Sequence, residues 1–277
     1  MHDFERARDE IAAELSAGMA EDPMDIAESA FEDEVPEWLE TELDREREQA
    51  PDSGPFAGSE FEDEADPDLR DWDRFDSERE IVRTFYEALA PDDTVWVYRG
   101  FTGLYAMFAA KRVGPDAVTA FEFEERFSGP LVRNLRWVGA EDVGIVPYGL
   151  DVERNDFTVG DTGETVHYYP AENIPSVTGD VTAPTVVLLD ALGAEWPALE
   201  GFSADQLDDI RELFVAVTET DVEDAPDPAE WLDAHGFEVT VLAERPHATT
   251  RWDRFVRAEN RRDDRSLGNR LRSRLPF

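Results

Sequence analysis

Cysteine is absent from the chain, which excludes disulfides and thiolate metal centres. Lysine occurs once, as Lys111, so nearly every positive charge is a guanidinium. No window approaches the roughly 18 apolar residues of a membrane-spanning helix. The opening MHDFERARDEIAAEL has no apolar core of signal-peptide length, so a soluble, cytoplasmic protein is expected. The four histidines, His2, His167, His235 and His247, show no ligand spacing, and no metal site is expected.

What is abundant is negative charge. Against 26 Lys and Arg stand 66 Asp and Glu, a formal net charge of −40. Self-repulsion at that density works against a compact state in dilute buffer. Near 1 M salt the Debye length is about 3 Å and the repulsion is screened, so a halophilic, salt-rich cytoplasm is expected. With 277 residues, 41% of them hydrophobic, one α/β domain with extensions is the natural architecture.

The chain is organised around Asp93 to Glu122. Thr94 to Tyr98 is an apolar, β-rich run that stops at Arg99, Gly100 and Gly103. Leu104 to Arg112 then carries apolar residues at helical spacing, and Ala117 to Phe121 is a second strand. That strand ends in Glu122, 19 residues beyond Gly103. An acid about 20 residues past a glycine turn, at the end of the second strand, can accept hydrogen bonds from both ribose hydroxyls. Arg99-Gly100-Phe101-Thr102-Gly103 lacks the three glycines of a dinucleotide turn and the Gly-Lys-Ser/Thr of a P-loop. A nucleoside cofactor without phosphates fits better, and S-adenosylmethionine is the common one. Gly100 and Gly103 would let the backbone approach it closely, although a turn needing positive φ would also select glycine.

The remaining elements follow in order. Residues 1–76 form an acidic, partly helical or disordered extension and linker, with Phe4, Ile11, Leu15 and Met19 at helical spacing and a linker-like Pro51 to Pro67. Residues 77–260 form the α/β domain. Ser77 and Glu80 read as a capping box before a helix that buries Ile81, Phe85, Tyr86 and Leu89. Phe127, Leu131, Leu135 and Val138 share one helical face. Val143 to Val146 is a third strand, and Asp156 to Tyr169 alternates as a hairpin leaving the sheet. Pro184 to Leu189 is the fourth strand, ending at Asp190. Ser203 caps a helix, and Val215 to Thr218 is the fifth strand, ending near Glu219 and Asp221. Pro226 to His235 is a short helix with Trp231 and Leu232 inward. Phe237 to Leu242 and Arg254 to Ala258 are strands with no room for a helix between them, hence antiparallel. The fold expected is an open, mostly parallel, Rossmann-like sheet with helices on both faces and a C-terminal antiparallel hairpin, the methyltransferase arrangement.

The Arg-rich tail, 261–277, could meet nucleic acid, but phosphate contacts weaken steeply with salt and the body is strongly anionic. Pairing with the protein's own acidic surface is expected instead.

The run GLYAMFAAKRVGPDAVTAFEFEERFSGPLVRNLRWVG, followed by VVLLDALGAEWPALEGF at Val186 to Phe202, resembles the FkbM-like family of S-adenosylmethionine-dependent O-methyltransferases over roughly Ser77 to Glu259. The resemblance implies methylation of a sugar, a glycan or another small hydroxylated metabolite. It places Asp190 and Glu195 in an Asp-x-Glu-Gly-x-Glu motif flanking methyl donor and acceptor. Independently of it, those two could be a helix-start acid and a surface acid. Glu219, with Asp221 near it, could serve as the general base that takes the acceptor's proton.

Three positions depart from the family's pattern. Where the family carries Asp-x-Gly-Ala-Asn-x-Gly, a match ending at Gly103 puts Val97 at the Asp and Arg99 at the first Gly, and Leu192 replaces the middle Glu of the second motif. Losing a charge-assisted hydrogen bond at position 97 costs about 1.5–3 kcal/mol, roughly ten- to a hundredfold in affinity. Arg99 either reaches the donor's carboxylate or fills its pocket. The rival expectation is a catalytically degenerate methyltransferase-fold protein serving as a binding or scaffold module.

Overall fold

The structure is a computed structural model, which describes residues 2–18, 71–158, 165–179, 181–191, 193–218, 226–244 and 252–262. The strands are β1 (Val95–Tyr98), β2 (Val118–Phe121), β3 (Gly144–Val146), β4 (Tyr148–Leu150), β5 (Asn155–Thr158), β6 (Thr165–Tyr169), β7 (Val186–Leu189), β8 (Glu212–Val217), β9 (Phe237–Glu244) and β10 (Arg254–Asn260). The seven-stranded sheet has the order β3-β2-β1-β7-β8-β10-β9, and β4-β6-β5 form a second, three-stranded sheet. The pairs β2–β3, β1–β7 and β7–β8 are parallel, and β10 is antiparallel to both β8 and β9. The described chain divides into two compact units, the first up to Asp92 and from Gly100 to Pro147, the second Asp93–Arg99 and from Tyr148 onward.

In the first unit, helices α1 (His2–Gly18), α2 (Asp71–Ala88), α3 (Leu104–Val113) and α4 (Glu125–Trp137) accompany the parallel pair β2–β3. Helix α3 buries seven of its ten residues, Leu104 to Ala110, as a helix laid on a sheet must. Phe127, Leu131, Leu135 and Val138 are all buried, as their spacing predicts. Helix α1 is not left in solvent: Phe4, Ile11 and Leu15 are buried. Phe4 stacks on Phe108 with ring centroids 5.4 Å apart, and Arg79 grips the Glu5 carboxylate at 2.7 and 2.8 Å. The expectation for residues 19–70 lies outside the described residues.

Ser77 is not a cap. Position 77 lies inside helix α2 (Asp71–Ala88), and an S-x-x-E pair inside a running helix has no orphan amides to satisfy.

The second unit holds β1-β7-β8-β10-β9. Every residue of β1, β7 and β8 is buried, the pattern of strands covered on both faces. Strand β8 begins at Glu212 rather than at Val215. Its first residue is charged yet buried, because Arg257 and Arg211 pair with its carboxylate. Helix α5 (Ile174–Thr178) occupies a stretch without sequence pattern, and α6 (Glu195–Glu200) and α7 (Ala204–Asp209) follow β7. Ser203 caps α7 in a reciprocal box with Gln206. Helix α8 (Pro228–Ala234) buries Leu232, while Trp231 is only half-buried. Arg261 and Arg262, the first residues of the basic tail, pair with Asp233 and Asp208; its residues from 263 on lie outside the described residues. No helix of the described residues is long and apolar enough to cross a membrane.

Candidate functional site

The candidate residues fall in both units. In the first unit, Gly100 N–H donates to the Phe121 carbonyl at 2.8 Å, which ties the turn to the end of β2. One residue on, Glu122 is completely buried. Its Oε2 accepts the Phe101 N–H and its Oε1 the Glu124 N–H, both at 2.8 Å. The acid predicted to sit beside the turn therefore does sit there, and its two oxygens hold backbone amides.

The turn is built on unusual backbone. Arg99 has φ 59° and Phe101 φ 47°, the only non-glycine residues with positive φ among those described, and Gly103 has φ 105°. Left-handed backbone costs a side-chain-bearing residue roughly 1–2 kcal/mol. Positions 99, 101 and 103 are those at which the resembled pattern carries Gly, Asn and Gly, residue types that tolerate such angles. Gly100 is closed in by the core: a Cβ there would lie 3.2 Å from Leu131 and 3.3 Å from Ala120. The Phe101 ring is 4% exposed and packs edge-on against Phe127, centroids 5.3 Å apart.

The Thr102 hydroxyl is buried without a hydrogen-bond partner, while the Thr102 carbonyl accepts from Asn134 at 2.7 Å. A buried carboxylate at the end of β2 and a buried hydroxyl on the turn offer the acceptor and donor types that a nucleoside's hydroxyls use. Val97, where the pattern has an acid, is an apolar core residue of β1 and offers such a ligand nothing.

In the second unit, Asp190 and Glu195 are both buried to within 2%. The Asp190 N–H donates to the Tyr98 carbonyl at 3.3 Å, continuing the β1–β7 ladder. Glu195 opens α6, and both of its oxygens accept the Gly193 N–H at 3.0 Å. The Thr218 hydroxyl donates to Oε1 at 3.3 Å. Burial pushes the Glu195 carboxyl up to about 7, the Asp190 charge pushes the same way, and the Gly193 amide and Thr218 hydroxyl oppose them. The two carboxylates share one buried neighbourhood, and Glu195 is half-protonated near neutrality. Glu219 and Asp221 lie outside the described residues, as does Leu192.

Two polar groups had no sequence signal beyond position: Thr218, at the end of β8, and Tyr98, whose hydroxyl accepts the Leu150 N–H at 2.9 Å. Among the described residues, no group of three or more His, Asp or Glu could hold a metal ion.

No known protein-family profile matches the chain, and no curated protein matches it by sequence. Solved structures do. The O-methyltransferase TomG of Streptomyces achromogenes, in complex with S-adenosylmethionine, is 18% identical over 82% of this chain and 91% of its own, with a TM-score of 0.46. A putative O-methyltransferase of Klebsiella pneumoniae is 12% identical over 82% and 91%, TM-score 0.45. Methyltransferase FkbM of Methylobacillus flagellatus is 13% identical over 62% of this chain, TM-score 0.45, and this chain covers 45% of its length.

Proposed function

We propose that this protein is an S-adenosylmethionine-dependent O-methyltransferase acting on a hydroxyl of a sugar or another small metabolite. The observation that carries it is the placement of Glu122 against the left-handed turn, 2.8 Å from the Phe101 amide, at the strand end where an open α/β sheet receives a nucleoside. Glu122 would hold the ribose, Gly100 and Gly103 shape the turn, and Arg99 would meet the carboxylate of the donor. When bound, S-adenosylmethionine supplies an electrophilic methyl group on a sulfonium.

The protein's own part is to orient the acceptor and receive its proton. Glu195, raised to about 7, is matched to that transfer near neutral pH, since a base works best with a pKa close to the operating pH. Asp190 and Glu219 complete the assigned catalytic set. Calorimetry with S-adenosylhomocysteine in molar KCl tests the reading: saturable binding, weakened by Glu122→Gln, is expected, and absence of any heat from the folded protein removes it.

A second reading is favoured by the complete burial of Glu122 and of Val97. On it, the fold persists as a binding or scaffold module without a donor.

A further inference from the structure

The geometry points to Phe101 as the residue that sets cofactor occupancy, by closing the turn onto Glu122. The inference rests on the methyltransferase reading above and adds to it a competition. Three observations in one place carry it. The Glu122 carboxylate is inaccessible, and one of its oxygens is engaged by the Phe101 amide at 2.8 Å. Phe101 is held in a backbone conformation unfavourable to its side chain, φ 47°. Its ring is fixed in that state by burial against Phe127.

Apolar burial of the ring thus opposes the strain, and the amide that results is delivered to the oxygen a ribose hydroxyl would use. A ribose reaches Glu122 only if the turn opens, which withdraws the Phe101 ring from Phe127. The ligand therefore competes with the protein's own backbone for one carboxylate. An asparagine at this position tolerates the same angle without a buried ring, so the turn forms without the ring's burial against Phe127 holding it closed.

The test uses the full chain in molar KCl, with amide hydrogen exchange followed by NMR and S-adenosylhomocysteine as the probe. In the free protein the Phe101 and Glu124 amides are expected to be protected, and Glu122→Gln to speed both. On adding the probe, the Phe101 amide is expected to exchange faster while neighbouring amides slow, the reverse of ordinary ligand protection. Phe101→Asn is expected to bind the probe about tenfold more tightly, the scale of one charge-assisted hydrogen bond. Should Phe101→Asn fail to fold, as its circular dichroism would reveal, the exchange pattern of the wild-type chain decides alone.

A Phe101 amide that the probe protects, or equal affinity in wild type and Phe101→Asn, overturns the latch while leaving the methyltransferase reading standing. Silence from both folded proteins, with the Phe101 amide protected, overturns the cofactor reading and the latch with it.

Discussion

The Thr218 hydroxyl donates to Glu195 Oε1 at 3.3 Å, at the end of β8. It is a long bond between a neutral donor and a carboxylate that burial drives toward its protonated form against the pull of that bond, and burial fixes the sign of a pH effect. The folded-state pKa of Glu195, about 7, lies above its ordinary 4.5, so between those values the native state binds the proton more tightly than the unfolded one. The contribution of Glu195 to stability is then fully present below pH 4.5 and is lost as pH rises through 7. Urea unfolding of wild type and Glu195→Gln, compared from pH 4.5 to 8.5, is expected to show wild type losing stability relative to the variant across that window. Parallel curves would exclude it.

The charge of −40 makes a second outcome measurable. Raising KCl from tens of millimolar to molar shortens the Debye length from about 20–30 Å to about 3 Å, and the thermal midpoint is expected to rise throughout. A flat or falling midpoint would mean that repulsion is already balanced by ion pairs such as Lys111 with Glu14 and Arg79 with Glu5.

Asp93 is the third case. Its carboxylate is fully buried, accepts the Thr185 hydroxyl at 2.9 Å and pairs with Arg211 at 2.5 Å. Removing one partner of such a pair strands a buried charge, so Asp93→Ala is expected to cost about 3–5 kcal/mol in urea unfolding. Replacing both partners by apolar residues, Asp93→Leu with Arg211→Met, is expected to cost less than Asp93→Ala alone.

Gly149 gives a fourth. A Cβ at this residue of β4 would fall 2.2 Å from the Tyr168 ring, with which it is in register on β6. Gly149→Ala is expected to destabilise by about 1–3 kcal/mol, and Tyr168→Ala in the same chain to recover most of that loss. Additive penalties would show that the ring moves aside freely.

The parts of the fold that were legible in the sequence are those where one periodicity decides. The buried runs of β1, β2 and β7, the stripe on α4 and the Ser203 cap need only local pattern. The start of β8 was hidden because Glu212 reads as a loop residue until Arg211 and Arg257, the latter distant in sequence, neutralise it. Strand β4 was hidden because three residues centred on a glycine carry no alternation, and its place depends on the Tyr168 ring. Helix α1 was visible as a helix, but its docking depends on contacts of Phe4 with Tyr86 and Phe108, which are distant in sequence.

The candidate site was legible by residue type and less so by state. Spacing placed Glu122 beside the turn, and no spacing rule says that its oxygens are already holding amides. Nor does a pattern search report that the left-handed angles of a glycine turn persist on an arginine and a phenylalanine. Nor does spacing show that Leu131 and Ala120 stand close to where a side chain at position 100 would begin.

The insertion of β10 between β8 and β9 orders events during synthesis. Strand β9 emerges first yet, among the described residues, has no neighbour in the sheet except β10, so residues 237–244 wait for their partner until Arg254 to Asn260 arrive. A nascent chain halted before that point would present an eight-residue strand to any other open edge it met. Glu238 and Glu244 on that strand give the waiting segment a charge that discourages such encounters.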